Sequence, residues 1–150
     1  MSDGGLFLED LAVGLSRERS HPVGDGDIQA FAAVSGDHNP LHLDEAYAAK
    51  TQFKGRIAHG LLAASYISAI LGMDLPGPGA VYLSQTLIFK RPVRPGDTVL
   101  ARVTVIALDP LKGRATLKTE CLVGGKLVLE GEAQVMAPRR PAASRPAGEG

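Results

Sequence analysis

Residues 60–71 read GLLAASYISAIL, and apolar or small side chains fall on nearly every side of a helix built from them. A helix of that kind needs neighbours that cover it, so the segment is predicted to be a buried helix. Residues 73–79, which read MDLPGPG, predict a loop after it. The remaining segments of the chain have to cover this helix, so their patterns decide the fold class.

Downstream of the helix, four segments alternate apolar and polar side chains, which predicts strands of an antiparallel sheet with one solvated face. Turns are expected at Gly113 and at the pair Gly124 and Gly125. An earlier strand is predicted over residues 16–23. The four alternating segments are residues 81–90, 98–105, 115–121 and 127–135. One very apolar helix followed by a long sheet indicates the α+β class with a buried helix.

Short helices are predicted upstream of the buried helix. Residues 25–27 (DGD) offer capping groups for an amphipathic helix that Gly36 can end. Residues 37–43 are predicted to be a loop, because Pro40 blocks a helix and pushes the preceding residue toward extended geometry. Asp44 is then expected to cap another short helix.

The chain has 150 residues, a length that suits one ordinary domain with a substantial core. Residues 1–136 are predicted to form this single domain. From Ala137 the composition shifts to Pro, Ala, Arg and Gly, so residues 137–150 are predicted to be a disordered C-terminal tail.

Composition also excludes several kinds of partner. The 16 basic and 16 acidic residues cancel, so neither nucleic acid nor a membrane surface is an expected partner. Cys121 is the only cysteine, which excludes a disulfide or a thiolate metal cluster within one chain. The N-terminal residues lack the pattern of a secretion signal, and no apolar run approaches the ~20 residues that cross a bilayer. We therefore expect a cytoplasmic protein without a membrane segment.

A carboxylate and an imidazole lie five residues apart within residues 31–42, FAAVSGDHNPLH. Asp37 and His42 flank Pro40, and two such groups can converge on one water molecule and exchange protons with it and with a substrate. Gly60 opens the buried helix, where free N–H groups and a partial positive charge of about 0.5 stabilise an oxyanion. The residues alone also allow a structural interpretation, in which Asp37 caps a loop and His42 is a hydrogen-bonding histidine.

Residues 35–42 (SGDHNPLH) resemble the signature of the MaoC-like hydratase family, in which an aspartate, an Asn-Pro pair and a histidine recur at this spacing. Residues 57–60 (IAHG) resemble the family's entrance to its central helix, and residues 89–93 (FKRPV) resemble one of its later strands. The resemblance covers roughly residues 10–135. It implies the hot-dog fold, an antiparallel β-sheet wrapped around a central apolar α-helix.

The same resemblance implies an activity, the reversible hydration of trans-2-enoyl-CoA to (R)-3-hydroxyacyl-CoA. In that reaction Asp37 and His42 activate water, and the backbone N–H of Gly60 stabilises the enolate oxyanion. Ser68 matches a helix serine that the family places near the substrate. The resemblance further implies an acyl-CoA thioester substrate, a homodimer or dimer of dimers, and no cofactor.

Two other functions fit part of this pattern. A hot-dog acyl-CoA thioesterase can use similar oxyanion geometry, but it releases a thiol. A non-catalytic acyl-binding or dimerisation module can keep the helix and the sheet without the polar pair. The presence of both Asp37 and His42 favours hydration over these alternatives.

A metal site is discounted on the sequence. His38 and His42 have the four-residue spacing of metal ligands on one helix face, but Pro40 interrupts a continuous helix and no third ligand is evident. His59 is interpreted as a structural residue at the start of the buried helix.

Contacts with the carrier of the acyl group are less defined by the sequence. Lys90, Arg91 and Arg94 are candidate contacts for the phosphates of CoA, with ordinary solvated charges as the alternative. Neither the acyl-chain length nor the choice between CoA and acyl carrier protein follows from the sequence.

Overall fold

The computed structural model describes residues 4–142. Strand β1 (Ser16–Pro22) is followed by helices α1 (Asp25–Ser35), α2 (Pro40–Leu43), α3 (Glu45–Ala49) and α4 (Gly60–Met73). Five strands complete the order: β2 (Val81–Gln85), β3 (Ile88–Phe89), β4 (Thr98–Asp109), β5 (Arg114–Val123) and β6 (Lys126–Met136). Within this part of the chain, every helix is too short or too polar to cross a lipid bilayer.

All strand pairs are antiparallel, in the order β1-β4-β5-β6-β2, with β3 also paired to β6. Helix α4 lies against β1, β4 and β5. Alternate residues of β4 are fully buried beneath it, namely Val99, Ala101, Val103 and Val105. The α+β prediction and the hot-dog arrangement of a sheet around an apolar helix are confirmed.

Helix α4 buries only one side against its own chain. Ile67 and Ile70 are completely buried, whereas Leu61 is 57% exposed and Ser68 and Gly72 are also exposed. The sequence predicted a helix covered on nearly all sides, and the single chain leaves an open face along it. That face requires a partner if it is to be covered.

The prediction of a loop over residues 37–43 is wrong for Pro40–Leu43, which form helix α2. Pro40 occupies the first position of α2, and the side chain of Asn39 caps that helix by accepting from the N–H of Leu41 at 3.0 Å. A proline is compatible with the first turn of a helix because that position has no intrahelical partner for an N–H.

The strand predicted over residues 81–90 is interrupted between β2 and β3. The carbonyl oxygen of Thr86 lies 1.7 Å from the position that a Cβ at Gly131 would occupy. Thr86 also exchanges hydrogen bonds with Glu132, whose N–H reaches the Thr86 hydroxyl at 3.0 Å. The break therefore depends on a glycine in the neighbouring strand β6.

The predicted disordered tail does not begin at Ala137. Ala137 is buried, and the carbonyl of Pro138 accepts a hydrogen bond from the N–H of Leu8 at 2.8 Å. The N–H of Arg140 reaches the carboxylate of Glu9 at 2.7 Å. These contacts hold residues 137–140 against the N-terminal segment, while residues 143–150 of the predicted tail lie outside the described residues.

Candidate active site

The carboxylate of Asp37 lies just beyond the end of helix α1. Gly36 ends this helix with a positive φ of 80°, a backbone conformation that glycine adopts without strain. The N–H of Asp37 donates to the hydroxyl of Ser35 at 3.1 Å, and its Oδ1 accepts from the N–H of Asn39 at 3.1 Å. The side chain is exposed, and these two bonds hold the turn that presents it.

The imidazole of His42 is buried on helix α2, with 8% of the residue exposed. Its Nδ1 lies 2.8 Å from the carbonyl oxygen of Ile57. Because a carbonyl only accepts, Nδ1 carries the proton and donates it, so Nε2 of the neutral ring has a free lone pair. Arg56 further holds this residue by donating to its carbonyl at 2.6 Å. His42 is therefore positioned to accept a proton at Nε2.

A second buried imidazole, that of His59, lies beside the first. The two ring centroids are 3.9 Å apart. Nε2 of His59 lies 3.0 Å from the backbone carbonyl of Asp37, so Nε2 carries the proton and Nδ1 has the free lone pair. This hydrogen bond ties the Asp37 turn to the residue that precedes α4.

Helix α4 begins at Gly60, and its first N–H groups have no partner within the helix. A Cβ at this position would lie 2.7 Å from Cε1 of Phe89, so the ring approaches the helix start as closely as a glycine allows. A cavity of about 330 Å³ lies at this point. Its lining residues are Phe31, Asp37, His42, His59, Gly60, Leu61 and Phe89.

This cavity, here called the polar cavity, combines three chemical groups. Asp37 supplies a carboxylate, His42 an imidazole with a free Nε2, and Gly60 the start of a helix. A proton acceptor, a proton donor and an oxyanion-stabilising dipole suit the addition of water to a polarised double bond. The sequence-predicted residues Asp37, His42 and Gly60 are thus brought together.

A second, largely apolar cavity of about 270 Å³ adjoins the polar cavity. Both are lined by His59, Gly60 and Phe89, and Val128 and Leu129 belong to the second alone. We call it the apolar cavity. It offers a hydrocarbon chain a place next to the polar groups.

Ser68 is not brought to the polar cavity. It lies two turns further along α4, in a separate cavity of about 190 Å³ between this helix and Tyr82 of β2. Its role as a substrate contact stays a prediction.

His59, interpreted on the sequence as a structural residue, lies beside Asp37 and His42 and was not among the metal ligands considered there. His38 is exposed and is not the partner of His42. Instead, Asp37, His42 and His59 each offer a potential ligand atom, and these three atoms lie within 4.8 Å of one another. The sequence signal that could have placed His59 in the site was its position directly before Gly60, the glycine expected at the helix start.

The candidate phosphate contacts are already engaged by the protein. Lys90 pairs with Glu130 at 3.4 Å, and the Arg94 guanidinium donates to the carbonyl of Phe53 at 2.5 Å. Arg91 donates to the carbonyl of Leu127 at 3.2 Å. These bonds favour structural roles for the three cations over phosphate binding.

Cys121 takes no part in the chemistry of the site. Its thiol is buried in β5, 3.5 Å from the carbonyl of Ala63, and burial raises its pKa to about 12. A thiol with that pKa is not a nucleophile at neutral pH.

A family model described as MaoC like domain matches residues 11–125. The chain belongs to this family. The MaoC-like chain is 53% identical over 134 residues to an "(R)-specific enoyl-CoA hydratase" of Rhodospirillum rubrum, covering 89% of this chain and 93% of that protein.

Two solved structures resemble this MaoC-like chain closely. The R-hydratase PhaJ1 from Pseudomonas aeruginosa, in its unliganded form, has a TM-score of 0.86 and 46% identity, over 95% of this chain and 94% of that one. The (R)-hydratase from A. caviae involved in PHA biosynthesis has a TM-score of 0.84 and 49% identity, over 87% and 99% of the two chains.

Proposed function

We propose that the protein is an (R)-specific enoyl-CoA hydratase that adds water reversibly to trans-2-enoyl-CoA. The observation that carries the proposal is the meeting of Asp37, His42 and Gly60 around one cavity. The similarity to proteins described as R-hydratases supports the same reaction.

The proposed reaction starts with water held between Asp37 and His42. As one of these groups takes a proton, the water oxygen bonds to the β-carbon, and the electrons of the double bond move to the thioester carbonyl. The N–H groups at Gly60 stabilise that oxyanion, a contribution of about 3 kcal/mol for one donor. The α-carbon then receives a proton from the polar pair, which gives the 3-hydroxyacyl product.

The apolar cavity suits the acyl chain of this substrate, because it shares the wall at Gly60 where the thioester carbonyl is placed. The net change is the addition of one water molecule, without oxidation and without phosphate transfer. The proposed reaction therefore uses no cofactor, and acyl-CoA is the only substrate besides water.

We further propose that the protein is a homodimer. Strand β2 lies at one edge of the sheet and exposes Val81, Tyr82 and Leu83. A cavity lined by Ser68, Gly72 and Tyr82 connects this edge to the open face of α4. Exposed apolar side chains on an edge strand beside an open helix face are stable in water when a second copy covers them. A dimer of dimers and the cytoplasmic location stay predictions.

The test of the activity follows the loss of the conjugated thioester and resolves the stereochemistry of the product. We expect (R)-3-hydroxyacyl-CoA without release of free CoA. Asp37→Asn and His42→Gln remove the two proton-transfer groups and are expected to lower kcat by about 10²–10⁴-fold. His38→Gln changes an exposed histidine next to the site and is expected to keep the wild-type rate.

A thiol-reactive dye in the same assay distinguishes the thioesterase alternative. Stoichiometric release of CoA would replace the hydratase proposal with hydrolysis. Wild-type hydration by both Asp37→Asn and His42→Gln would contradict the assignment of the two residues.

A further inference from the structure

His59 has an unused lone pair that the proposed hydration does not explain. The residue is 3% exposed, and its Nδ1 has no hydrogen-bond partner within residues 4–142. A buried acceptor without a hydrogen-bond partner is energetically unfavourable. A ligand that accepts this lone pair would recover part of that cost.

The neighbours of His59 supply the other ligands that a transition metal requires. Potential ligand atoms of Asp37, His42 and His59 lie within 4.8 Å of one another. Two imidazoles and one carboxylate form the protein ligand set of several catalytic zinc sites, in which a further position stays open.

Both histidines make the second hydrogen bond that metal-binding histidines commonly make. His42 donates its Nδ1–H to the carbonyl of Ile57, and His59 donates its Nε2–H to the carbonyl of Asp37. Histidine ligands commonly donate their second N–H to a carbonyl, which fixes the ring and makes the other nitrogen a better ligand. These bonds define which nitrogen of each ring is free for a cation.

The ligand atoms must approach one another for coordination. With zinc-to-ligand distances of 2.0–2.2 Å, tetrahedral geometry separates neighbouring ligand atoms by roughly 3.4 Å. Asp37 moves most easily, because its side chain is exposed while both imidazoles are buried and hydrogen-bonded. The two imidazoles must also move apart, because their ring centroids are 3.9 Å apart and two rings bound to one tetrahedral zinc ion have centroids roughly 5 Å apart.

We propose that Asp37, His42 and His59 form a binding site for a divalent transition-metal cation, represented by Zn²⁺. The cation takes the lone pairs of Asp37 and His42 that would otherwise receive the proton of water. Zinc therefore inhibits the hydration. The inhibition rests on the proposed function, whereas the binding site does not.

The experiment titrates Zn²⁺ into the tag-free, chelator-treated protein by isothermal calorimetry. We expect one zinc ion per chain. His59→Gln removes one ligand and is expected to weaken binding by about tenfold or more. The matched control is His38→Gln, which removes a neighbouring exposed histidine outside the cluster and is expected to bind zinc as the wild type does.

Further measurements distinguish the loss of a metal ligand from misfolding of the His59→Gln variant. Circular dichroism verifies that His59→Gln is folded, and His42→Gln provides a second ligand deletion. Loading the wild-type protein with Co²⁺ is expected to give visible absorption typical of four or five nitrogen and oxygen ligands.

Zinc is also expected to abolish hydratase activity, and chelation is expected to restore it. The proposal is overturned if the wild-type protein has no saturable site, if folded His59→Gln binds zinc equally well, or if zinc-saturated enzyme keeps its full rate. Zinc binding by a protein without any hydratase activity would support the metal site and contradict the proposed function instead.

Discussion

Two backbone carbonyls determine the chemistry of the imidazoles in the polar cavity. The carbonyl of Ile57 fixes the proton of His42 on Nδ1, and the carbonyl of Asp37 fixes the proton of His59 on Nε2. Each ring consequently has one defined basic nitrogen. A His42→Gln change therefore removes a proton acceptor of known orientation, which is why it is a sharper test than a change at the exposed His38.

The close approach of Phe89 to Gly60 predicts the effect of replacing this glycine by alanine, which adds one methyl group. In Gly60→Ala the added Cβ would lie 2.7 Å from the exposed Phe89 ring, which must move. We expect a folded protein whose kcat/KM falls by about tenfold or more, because the new methyl group and the displaced Phe89 ring crowd the cavity at the helix start. Steady-state hydration kinetics measure this effect.

Gly26→Ala is the matched control for that change. Gly26 lies in helix α1, and a Cβ there meets no atom within 4 Å. It is expected to keep full activity and to be slightly more stable, because alanine favours helix formation over glycine. Equal activity of Gly60→Ala and the wild type would show that the substrate does not approach this helix start.

At the scale of elements, helix α1 positions the Asp37 turn, and its own start is held by Asp27. The carboxylate of Asp27 accepts from the N–H of Gly24 at 2.8 Å, and this hydrogen bond lowers the pKa of Asp27 below its ordinary value. His21, 3.4 Å away, contributes in the same direction.

This capping bond predicts a pH-dependent stability difference. A lowered folded-state pKa means that Asp27 stabilises the fold above its unfolded pKa of about 3.9, and that the contribution is lost as the pH falls through the lower folded-state value. We expect Asp27→Ala to be less stable by about 0.5–1 kcal/mol at pH 7. The difference should shrink toward zero in acid.

Urea unfolding between pH 2.5 and pH 7 measures this dependence, with Gln29→Ala on the exposed face of the same helix as the control. A constant difference between Asp27→Ala and the wild type across that range would contradict the capping role.

The sequence predicted helices most accurately where a single residue determined the start or the end of the helix. Gly36 ends α1 as expected, and the side chain of Asp44 caps α3 by accepting from the N–H of Tyr47 at 3.0 Å. Pro40 misled the prediction, since proline favours the first turn of a helix as well as a loop. The break at Thr86 depends on Gly131, some 45 residues away in sequence, and no local pattern contains that contact.

The candidate site was predictable to the extent that it follows the sequence motif. Asp37, His42 and Gly60 meet as the motif implied, but His59 enters the site through a contact between a ring nitrogen and a distant carbonyl. Such long-range hydrogen bonds depend on how the turn after α1 lies against the residue before α4, which spacing along the chain does not specify.

At the scale of the whole molecule, the two edges of the sheet differ in character. Strand β1 exposes charged side chains at Arg17, Glu18 and Arg19, which discourage pairing with another chain. Strand β2 exposes Tyr82 and Leu83 beside the open face of α4. This asymmetry favours β2 as the location of the proposed dimer contact.

The proposed dimer contact predicts that a single substitution in β2 shifts the protein from dimer toward monomer. Leu83→Lys puts a charge into the surface that a second copy would cover, and we expect it to weaken association by about tenfold or more. Light scattering after size-exclusion chromatography should show a dimer for the wild type and a shift toward the monomer for this variant. Leu111→Lys, at a site that is 93% exposed, should stay dimeric. A monomeric wild type would contradict the proposal.

The hydrogen bond from Leu8 to Pro138 has a consequence for how this domain is joined to others. Because the first and last described segments lie side by side, a domain attached directly to either segment would start from the same corner of the described structure. A short peptide joining these two segments would close the described domain into a ring without disturbing the sheet.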